Sequence, residues 1–439
     1  MKNPMCLTIN TFFLAVSNLS AATLYVSPGS TNPTPPYATW ATAATNIQDA
    51  VDAAAAGDEV VVNDGVYPGG LTVDKALAVS SVNGQQFTRI QTTGVMNGVG
   101  GASAASLSGF TLAAGGFDPI GTGAYGVTLY DCTLTGFVNG LEAPGGAERC
   151  TLYNCTLSGN TAHIAGGAAS CTLYNCLLSG NSAFIMNSGG GAYDCTLYNC
   201  TLTGNWAPQG AGGAMGCILY NCIVYFNTDV RGEEDVVSCT LNYCCTPVPP
   251  TNGVGNITNA PLFVDASSGD LRLQSNSPCI NAGNNAYASV ATDFDGNPRI
   301  VGGTVDIGAY ECQSPALLDY FTWLQSYGLS TYAGAFYAHS DGNGMNNWQD
   351  WVAGLNPTNA LSVLKMLSGA PTNNPPGLVV TWQSVNTRTY YLQSSTNLAA
   401  QPAFSTIQSN IVGQAGTTSY TDITATNAGP YFYRVGVGN

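Results

Sequence analysis

The most regular pattern of apolar and polar residues in the chain is an eleven-residue unit, Cys150–Asn160, in which the two kinds alternate. The unit recurs at Cys171–Asn181, Cys195–Asn205 and Cys217–Asn227, and weaker copies begin at Ala105, Val127 and Cys239. Successive copies start 21 to 24 residues apart. Alternation with a period of two indicates strands, and a fixed period in this range indicates stacked repeats. The sequence therefore predicts a mainly β protein built around a right-handed parallel β-helix solenoid.

The same alternation predicts which side chains face the core. In Cys150–Tyr153 the Cys and Leu share one face while Thr and Tyr share the other, so the apolar pair should point inward. The alternation resets after Asn154, a residue type that tolerates the left-handed backbone of a corner. Stacking places the following residues in one corner column, whose side chains we expect to hydrogen-bond along it: Asp131, Asn154, Asn175, Asn199 and Asn221. Ser158–Asn160 predicts a second corner, and the Gly-rich segments predict a third, variable region.

Fourteen cysteines follow the predicted signal peptide, and most fall into two inward columns. The columns are Cys150, Cys171, Cys195, Cys217 and Cys239, and Cys132, Cys155, Cys176, Cys200, Cys222 and Cys244. We expect buried free thiols, which behave as small apolar side chains, with inter-coil disulfides as the alternative. Zinc is not expected, because no His accompanies the repeated Cys spacing. Cys279 and Cys312 lie outside the columns and form the pair for which a disulfide is most expected.

The beginning of the chain predicts export and a helical cap. Residues 1–22 have the features of a signal peptide, with Lys2, a short apolar stretch and small residues before Thr23. We expect the solenoid and its caps over residues 23–312. Residues 46–56 predict an amphipathic helix with Thr45 or Asn46 as N-cap, placed to cover the exposed core at the first coil.

Several stretches carry a family resemblance. They are Leu24–Gly29 with Gly57–Tyr67, Leu157–Asn160 with Gly166–Ala168, and Asp293–Arg299 with Val305–Glu311. The first pair resembles the start of extracellular bacterial right-handed β-helix proteins of the pectate-lyase-like superfamily. The second is similar to repeats of polymorphic outer-membrane proteins, and the third resembles the closing motif of the choice-of-anchor Q family. The resemblance implies a secreted or cell-surface β-helix rather than a particular chemistry.

In physical terms we interpret the closing motif as a cap. Asp293, Asp295 and Asp306 can accept hydrogen bonds from turn amides, and Arg299 can pair with Glu311.

Residues 313–360 predict a short helical linker that contains a degenerate calcium loop of the EF-hand or dockerin kind. The loop spans His339–Asp350, and Gly344 takes its sixth position. The candidate metal ligands are Asp341, Asn343, Met345 and Asp350. His339 stands where such loops carry Asp, which should weaken calcium binding, so a loop that keeps its turn without metal is the alternative. Residues 361–439 alternate between apolar and polar positions and predict a fibronectin- or immunoglobulin-like β-sandwich.

The low fraction of charged residues and the negative net charge exclude some classes of binding partner. Only 8% of residues are charged and the net charge is −15, so nucleic acid and anionic membranes are not expected to bind. Residues 23–439 contain no apolar run that could span a membrane as a helix, and the location predicted is secreted or cell-surface. A polysaccharide or a surface protein remains as the expected partner.

Two functions follow. The first is a binding, adhesion or display scaffold, supported by an outward column of tyrosines: Tyr130, Tyr153, Tyr174, Tyr198 and Tyr220. The alternative explanation for this column is that tyrosine is favoured in β-strands for structural reasons and binds no ligand. The second function is a polysaccharide lyase or glycoside hydrolase, for which Glu233, Glu234 and Asp235 are the candidate catalytic carboxylates. Acids and cations are sparse along the repeats, so the sequence favours binding over catalysis and predicts no cofactor other than possible calcium.

Overall fold

The structure is a computed structural model that describes residues 21–92, 105–115, 121–140, 143–230, 232, 235–249, 251–313, 315–329, 338–398, 404–426 and 429–438. All but the last two residues of the predicted signal peptide lie outside the described residues, as do Glu233 and Glu234. The chain divides into two compact units. The first unit takes residues up to 173 together with 178–195 and 205–212, and the second takes 174–177, 196–204 and 213–439.

Short parallel strands repeat along the chain and form two large sheets. Sheet A has ten strands in chain order: Thr23–Val26, Glu59–Val62, Ala78–Ser81, Ser106–Ser108, Thr128–Tyr130, Thr151–Tyr153, Thr172–Tyr174, Thr196–Tyr198, Ile218–Tyr220 and Thr240–Asn242. Sheet B has eight: Gly65–Pro68, Thr88–Thr92, Thr111–Ala114, Thr133–Thr135, Thr156–Ser158, Leu177–Ser179, Thr201–Thr203 and Ile223–Val224. Equivalent repeat positions pair in register, for example Leu152 with Leu129 and Leu134 with Leu157.

Smaller parallel sheets complete each coil. Sheet C has six strands: Ala124–Tyr125, Ala147–Glu148, Ala168–Ala169, Ala192–Tyr193, Ala214–Met215 and Val236–Val237. Sheet D has three: Val138–Asn139, Thr161–Ala162 and Ser182–Ala183. A further pair joins Met186–Gly189 to Gln209–Ala211. The predicted parallel β-helix is confirmed as a parallel β-solenoid of about 7 turns.

The corners between sheets have left-handed backbone, as the parity break predicts. The predicted corner column lies between sheets A and B, with φ between 51° and 52° at Asp131, Asn154, Asn175, Asn199 and Asn221. A second left-handed corner lies between sheets C and A, at Gly126, Arg149, Ser170, Asp194, Gly216 and Ser238. No single residue type occupies this corner in all the coils, so the sequence pattern did not predict it.

The core of the repeats is made by the inward Leu and Cys residues. Leu129, Leu152 and Leu197 are fully buried, and every cysteine in the two columns is a buried free thiol, as predicted. Backbone amides donate to the next thiol along a column, as from Cys150 N to Cys171 Sγ at 3.3 Å. The expected disulfide between Cys279 and Cys312 is wrong, because both are free thiols.

In the described part of the chain, three α-helices and two 3₁₀ helices accompany the strands. They are α1, Ile47–Ala53, α2, Pro315–Ser326, and α3, Asn347–Ala353, with 3₁₀ turns at Trp40–Thr42 and Asn285–Tyr287. Helix α1 is shorter than predicted, and its N-cap is Asn46, which accepts a hydrogen bond from Asp49 N. It buries Ile47, Ala50 and Val51, as expected of an amphipathic cap.

Antiparallel strands occur only after the solenoid in the described chain. Phe263–Asp265 pairs with Asp270–Leu273. Two three-stranded sheets follow, one of Met366–Asn373, Pro376–Ser384 and Gly416–Asp422, the other of Ser405–Val412, Thr389–Ser395 and Phe432–Val437. Val380, Trp382, Tyr390 and Leu392 form their shared buried core. The predicted C-terminal β-structure is therefore confirmed as two packed antiparallel sheets.

Candidate functional site

The predicted tyrosines occupy equivalent outward positions on sheet A. In the first unit Tyr153 pairs in register with Tyr130, and the two rings are stacked with centroids 5.0 Å apart and an interplanar angle of 9°. The residue in register on the other side of Tyr130 is Ser108. Tyr130 is 40% exposed, more than the other members of the set, which are half-buried. The stack in this unit therefore has one open ring face, at Tyr130.

A second stack lies in the second unit. Tyr174 and Tyr198 are 5.0 Å apart at 10°, and Tyr198 and Tyr220 are 5.0 Å apart at 13°. Tyr287, from a 3₁₀ turn, lies 4.4 Å from Tyr220 and tilts by 32°. Burial first, and the neighbouring Tyr220 second, raise the pKa of Tyr198. The stacked rings cover each other's faces.

The stacking of the tyrosine rings determines which of their groups are accessible to a ligand. Sugar rings and other apolar groups bind to the faces of aromatic rings, but here most faces are already occupied by the next tyrosine. What remains is a row of ring edges and phenol groups, beside the outward threonines of the same strands, such as Thr151 and Thr196. Within the described chain no hydrogen bond engages the hydroxyl groups of Tyr130, Tyr198 or Tyr220. The surface is thus suited to hydrogen bonding at a regular 5.0 Å spacing.

Tyr287 belongs to a segment, residues 279–312, that covers the outward side of three successive coils in the second unit. Asn175 Nδ2 donates to Thr292 O at 2.6 Å, Asn221 Nδ2 donates to Asn284 O at 3.0 Å, and Thr201 Oγ1 accepts from Ala309 N at 3.1 Å. We call residues 279–312 the closing segment. The interpretation of its motif as an end cap is corrected, because these contacts lie along the side of the coils.

Sequence reasoning missed this contact, although the repeat carries a signal for it. The first outward position of the sheet B strands is Thr in several coils, yet it is Leu177 in one coil and Ile223 in another. Both are buried in a cluster that includes Ile307 and Ala309 of the closing segment. An apolar residue at a polar position of a repeat thus marks where another part of the chain packs. The expected ladder of corner amides is confirmed at Asn154, which donates to Asp131 Oδ1, whereas the side chain of Asn221 bonds to the backbone of Asn284.

Three acids of the closing segment, Asp293, Asp306 and Glu311, form a buried cluster with Arg299. Arg299 Nη2 lies 3.4 Å from Glu311 Oε2, as expected, and its Nη1 donates to Ala309 O at 2.7 Å. Asp306 accepts from the amides of Asn281 and Cys312, and Asp293 accepts from Asn297 N and Glu311 N. Burial raises the pKa of Asp306 to about 7 and that of Glu311 to about 9. Every one of these groups satisfies the chain's own amides and carbonyls, which is a structural role.

Of the three candidate catalytic carboxylates, the structure describes Asp235. It is buried, and its Oδ1 accepts from Asn227 N at 2.9 Å and from Asn227 Nδ2 at 2.8 Å. Burial raises its pKa to about 6. This geometry joins the carboxylate to a buried asparagine column, and no second described acid lies beside it.

Three of the arginines that a lyase could use as base have other contacts. Arg149 donates to Tyr125 Oη, Arg272 makes a two-point contact with Asp295, and Arg299 is buried in the closing segment. The rings of His163 and Phe184 are nearly perpendicular, with centroids 6.5 Å apart. Among the described residues, no group of three or more His, Cys, Asp or Glu side chains is placed to hold a metal ion.

The predicted calcium loop is described in full. Asp341 accepts from Asn343 N at 3.0 Å, Asn343 Oδ1 accepts from Met345 N at 2.7 Å, and His339 Nδ1 lies 2.9 Å from Met345 O. Asp350, in α3, is fully buried, and neither of its carboxylate oxygens has a hydrogen-bond partner. Burial first, and the charge of Asp341 second, raise the pKa of Asp350 to about 6. The donor set is all oxygen, as hard cations prefer, and it leaves one buried carboxylate without a partner, so the residues fit calcium.

Comparisons with known proteins find only distant likenesses. No family model matches the chain, and no curated protein matches it. Among solved structures, pectate lyase Pel9A is 14% identical, with 67% of this chain and 97% of that chain covered and a TM-score of 0.39. A pectin methylesterase from carrot is 12% identical, with 55% and 86% covered and a TM-score of 0.32. Pectin methylesterase PemA from Erwinia chrysanthemi is 13% identical, with 52% and 79% covered and a TM-score of 0.31. Likenesses this distant carry no inference about activity, and no described helix is long and apolar enough to cross a membrane.

Proposed function

We propose that the protein is a secreted or cell-surface scaffold that binds a polysaccharide or a surface protein through its outward tyrosines. The observation that supports this is the in-register stacking of Tyr174, Tyr198 and Tyr220 at 5.0 Å. Such a row repeats a hydrogen-bonding group at constant spacing on a sheet fixed by backbone bonds. A ligand with its own short repeat, such as an extended glycan chain, matches that regularity.

The chemistry of the row suits an uncharged partner. A chain with a net charge of −15 repels polyanions, and the strands that carry these tyrosines contain no Lys or Arg. Hydroxyl groups of Tyr and Thr donate and accept hydrogen bonds, as sugar hydroxyls do. The resemblance of the closing segment to the choice-of-anchor Q family agrees with an exported protein and belongs to the same proposal.

The experiment compares two triple variants on immobilised neutral polysaccharides. Tyr174→Phe, Tyr198→Phe and Tyr220→Phe together keep the ring stack and remove the hydroxyl groups. Replacing the same residues with Ser removes both. If the hydroxyl row binds, the Phe variant should lose retention about as fully as the Ser variant, while its melting temperature stays near that of the unmodified protein. Full retention by the Ser variant would sink the proposal.

The alternative, a lyase or hydrolase acting on polysaccharide, is tested in the same screen. Release of unsaturated or reducing sugar ends from neutral or acidic polymers would establish it. Glu233→Gln and Glu234→Gln with Asp235→Asn should then abolish the release. Retention without release supports the scaffold.

A second proposed property is calcium binding by the loop His339–Asp350. The specific observation in its favour is the buried carboxylate of Asp350, which has no partner. Asp341, Asn343, Asp350 and the carbonyl of Met345 would hold the ion. His339 supplies no carboxylate and lies against that carbonyl, so the affinity should be weak. Calorimetry should show binding at millimolar calcium, stronger binding in His339→Asp and none in Asp350→Asn. No heat in any of the three proteins would contradict the assignment.

A further inference from the structure

A second aromatic surface lies on the outward face of sheet D and differs from the tyrosine stacks. Thr161 pairs with Ser182, and Ser182 forms a parallel bridge with Trp206. Ala162, Ala183 and Ala207 follow these residues and are fully buried. By alternation, Trp206 points outward, and so do His163 and Phe184, which follow the buried alanines. We call Trp206, Phe184 and His163 the tryptophan platform.

The rings of the tryptophan platform are exposed. Phe184 is 48% exposed and Trp206 is 37% exposed. His163 and Phe184 are nearly perpendicular, with ring centroids 6.5 Å apart and an interplanar angle of 89°. Trp206 makes no ring contact within the described chain. Neither Phe184 nor Trp206 takes part in the parallel stacking that covers the ring faces of the tyrosines.

The platform is held rigidly. Trp206 N donates to Asn181 O and Ala183 N donates to Trp206 O, both at 2.9 Å, while Phe184 N donates to Ala162 O at 2.8 Å. Directly before these strands, Asn181 Nδ2 donates to Asn205 Oδ1 at 3.0 Å. Backbone and side-chain bonds thus fix both aromatic positions before any ligand arrives, which lowers the entropy that binding would cost.

The chain segments that carry the platform contain no charged residue. Residues 160–165, 181–185 and 205–209 contain no Asp, Glu, Lys or Arg, although the whole chain has a net charge of −15. Thr161, Ser182 and His163 add hydroxyl and imidazole groups beside the rings. Open aromatic faces bind the C–H faces of sugar rings, and the polar neighbours bind their hydroxyl groups. An anionic polymer would find no cation here and would meet the repulsion of the chain as a whole.

We propose that the tryptophan platform is a binding site for a neutral polysaccharide chain, separate from the tyrosine stacks and independent of them. A protein partner would also cover apolar rings. The absence of charge and the row of small polar groups favour a sugar, and protein binding becomes an outcome of the test.

The test is affinity electrophoresis of the full chain in gels containing galactomannan, xyloglucan or hydroxyethyl cellulose, with polygalacturonate as the anionic comparison. Trp206→Ala and Phe184→Ala should each weaken retention roughly tenfold, the effect of about 1.4 kcal/mol. Trp206→Phe keeps a ring and should retain most of the binding. Phe87→Ala is the matched control, because Phe87 is a 58% exposed aromatic residue of the same unit away from the platform.

Three outcomes overturn the proposal: no retention on any of the three neutral polymers, retention equal on polygalacturonate, or the same retention in Trp206→Ala as in Phe87→Ala. Circular dichroism and melting temperatures establish that each variant is folded. The triple Tyr→Phe variant separates this site from the tyrosine stacks. Loss of retention in Trp206→Ala but not in the tyrosine variant would support the platform and reject the tyrosine stacks as the binding site. Loss of retention in the tyrosine variant but not in Trp206→Ala would support the tyrosine stacks and reject the platform.

Discussion

Two columns of asparagine run along the repeats, and the comparison between them shows what stacking demands. The corner column, with Asn154, Asn175 and Asn221, has left-handed backbone, and its side chains bond to different partners: Asp131 Oδ1, Thr292 O and Asn284 O. The second column, which we call the buried column, consists of Asn160, Asn181 and Asn205, and its side chains bond to one another. Asn160 Nδ2 donates to Asn181 Oδ1, and Asn181 Nδ2 donates to Asn205 Oδ1, both at 3.0 Å.

The difference teaches that one residue type is selected for two reasons. At the corner Asn is chosen for its backbone, because it accepts φ near 52° more easily than other non-glycine residues. In the buried column it is chosen for its side chain, which must donate and accept at once in a place without water. Asn181 also accepts from Asn160 N and donates to Leu157 O, so its amide makes four bonds. Losing the second kind of Asn should therefore cost far more than losing the first.

The largest effect is expected for Asn181→Ala. The change removes the bonds of the Asn181 side chain to Asn160 N and Leu157 O, while Asn205 Oδ1 keeps its bond from the backbone amide of residue 181. Each lost partner of a buried group costs about 1–3 kcal/mol, and the total should be roughly 4 kcal/mol. Chemical denaturation of the purified protein measures it. Asn181→Asp should be as harmful, since a carboxylate cannot donate to Leu157 O or Asn205 Oδ1. A loss below 1 kcal/mol in both variants would contradict the role given to this column.

A second test uses the closing segment, whose backbone carbonyls accept hydrogen bonds from the corner residues Asn175 and Asn221. The pKa of Asp306 is raised to about 7 and that of Glu311 to about 9, so the folded protein binds protons more tightly than the unfolded chain. Their contribution to stability is full below the ordinary carboxyl pKa and is lost as the pH rises through these values. We expect the free energy of unfolding to fall as the pH rises from 5 to 9.

Thermal melts across that range measure this dependence. Glu311→Gln mimics the protonated carboxyl and should flatten the curve above pH 7. Asp49→Asn, at an exposed position on α1, is the control that should leave the slope unchanged. A protein that becomes more stable as the pH rises would show that these acids are ionised and paired instead.

The third prediction concerns Asp235 in the second unit. Its Oδ1 accepts hydrogen bonds from Asn227 N and Asn227 Nδ2. Its carboxylate is buried, and burial raises its pKa to about 6. Asp235→Asn keeps the accepting oxygen and removes the buried charge, so it should stabilise the protein by about 1 kcal/mol at pH 8. Asp235→Ala should destabilise it by about 2 kcal/mol. Denaturant titration of both variants decides, and destabilisation by the Asn variant would contradict the structural role.

Much of this architecture could be predicted from the sequence, because the spacing and alternation of the repeat determine which residues form strands, core and corners. The period, the inward Cys and Leu and the left-handed corner at Asn154 all follow from alternation and its break, and the structure confirms each. The corner that contains Arg149 was not predicted, because positive φ there is imposed by the neighbouring strands on varied residue types.

Prediction was weakest where distant segments meet. The docking of the closing segment depends on Asn175 reaching Thr292, 117 residues away, and no local pattern encodes such a partner. The exposure of Trp206 and Phe184 was likewise not predictable, since exposure depends on which neighbours pack against each ring. The tyrosine column was predicted correctly as a position, but its ring faces are covered, which only the stacking distances reveal.

The smallest effect, and the sharpest test of the comparison, is expected at the corner. Asn154→Gly should change the free energy of unfolding by no more than about 0.5 kcal/mol, because Gly adopts positive φ freely and the side-chain bond to Asp131 is exposed. Asn154→Ala should cost about 1 kcal/mol, since a Cβ without a local hydrogen bond strains this backbone. If backbone conformation selects Asn at the corner, Gly must be better than Ala there. If instead the side-chain bond matters, the two variants should lose the same stability, and the distinction between the two columns would disappear. Denaturant titration of both variants at 0.15 M salt separates these outcomes.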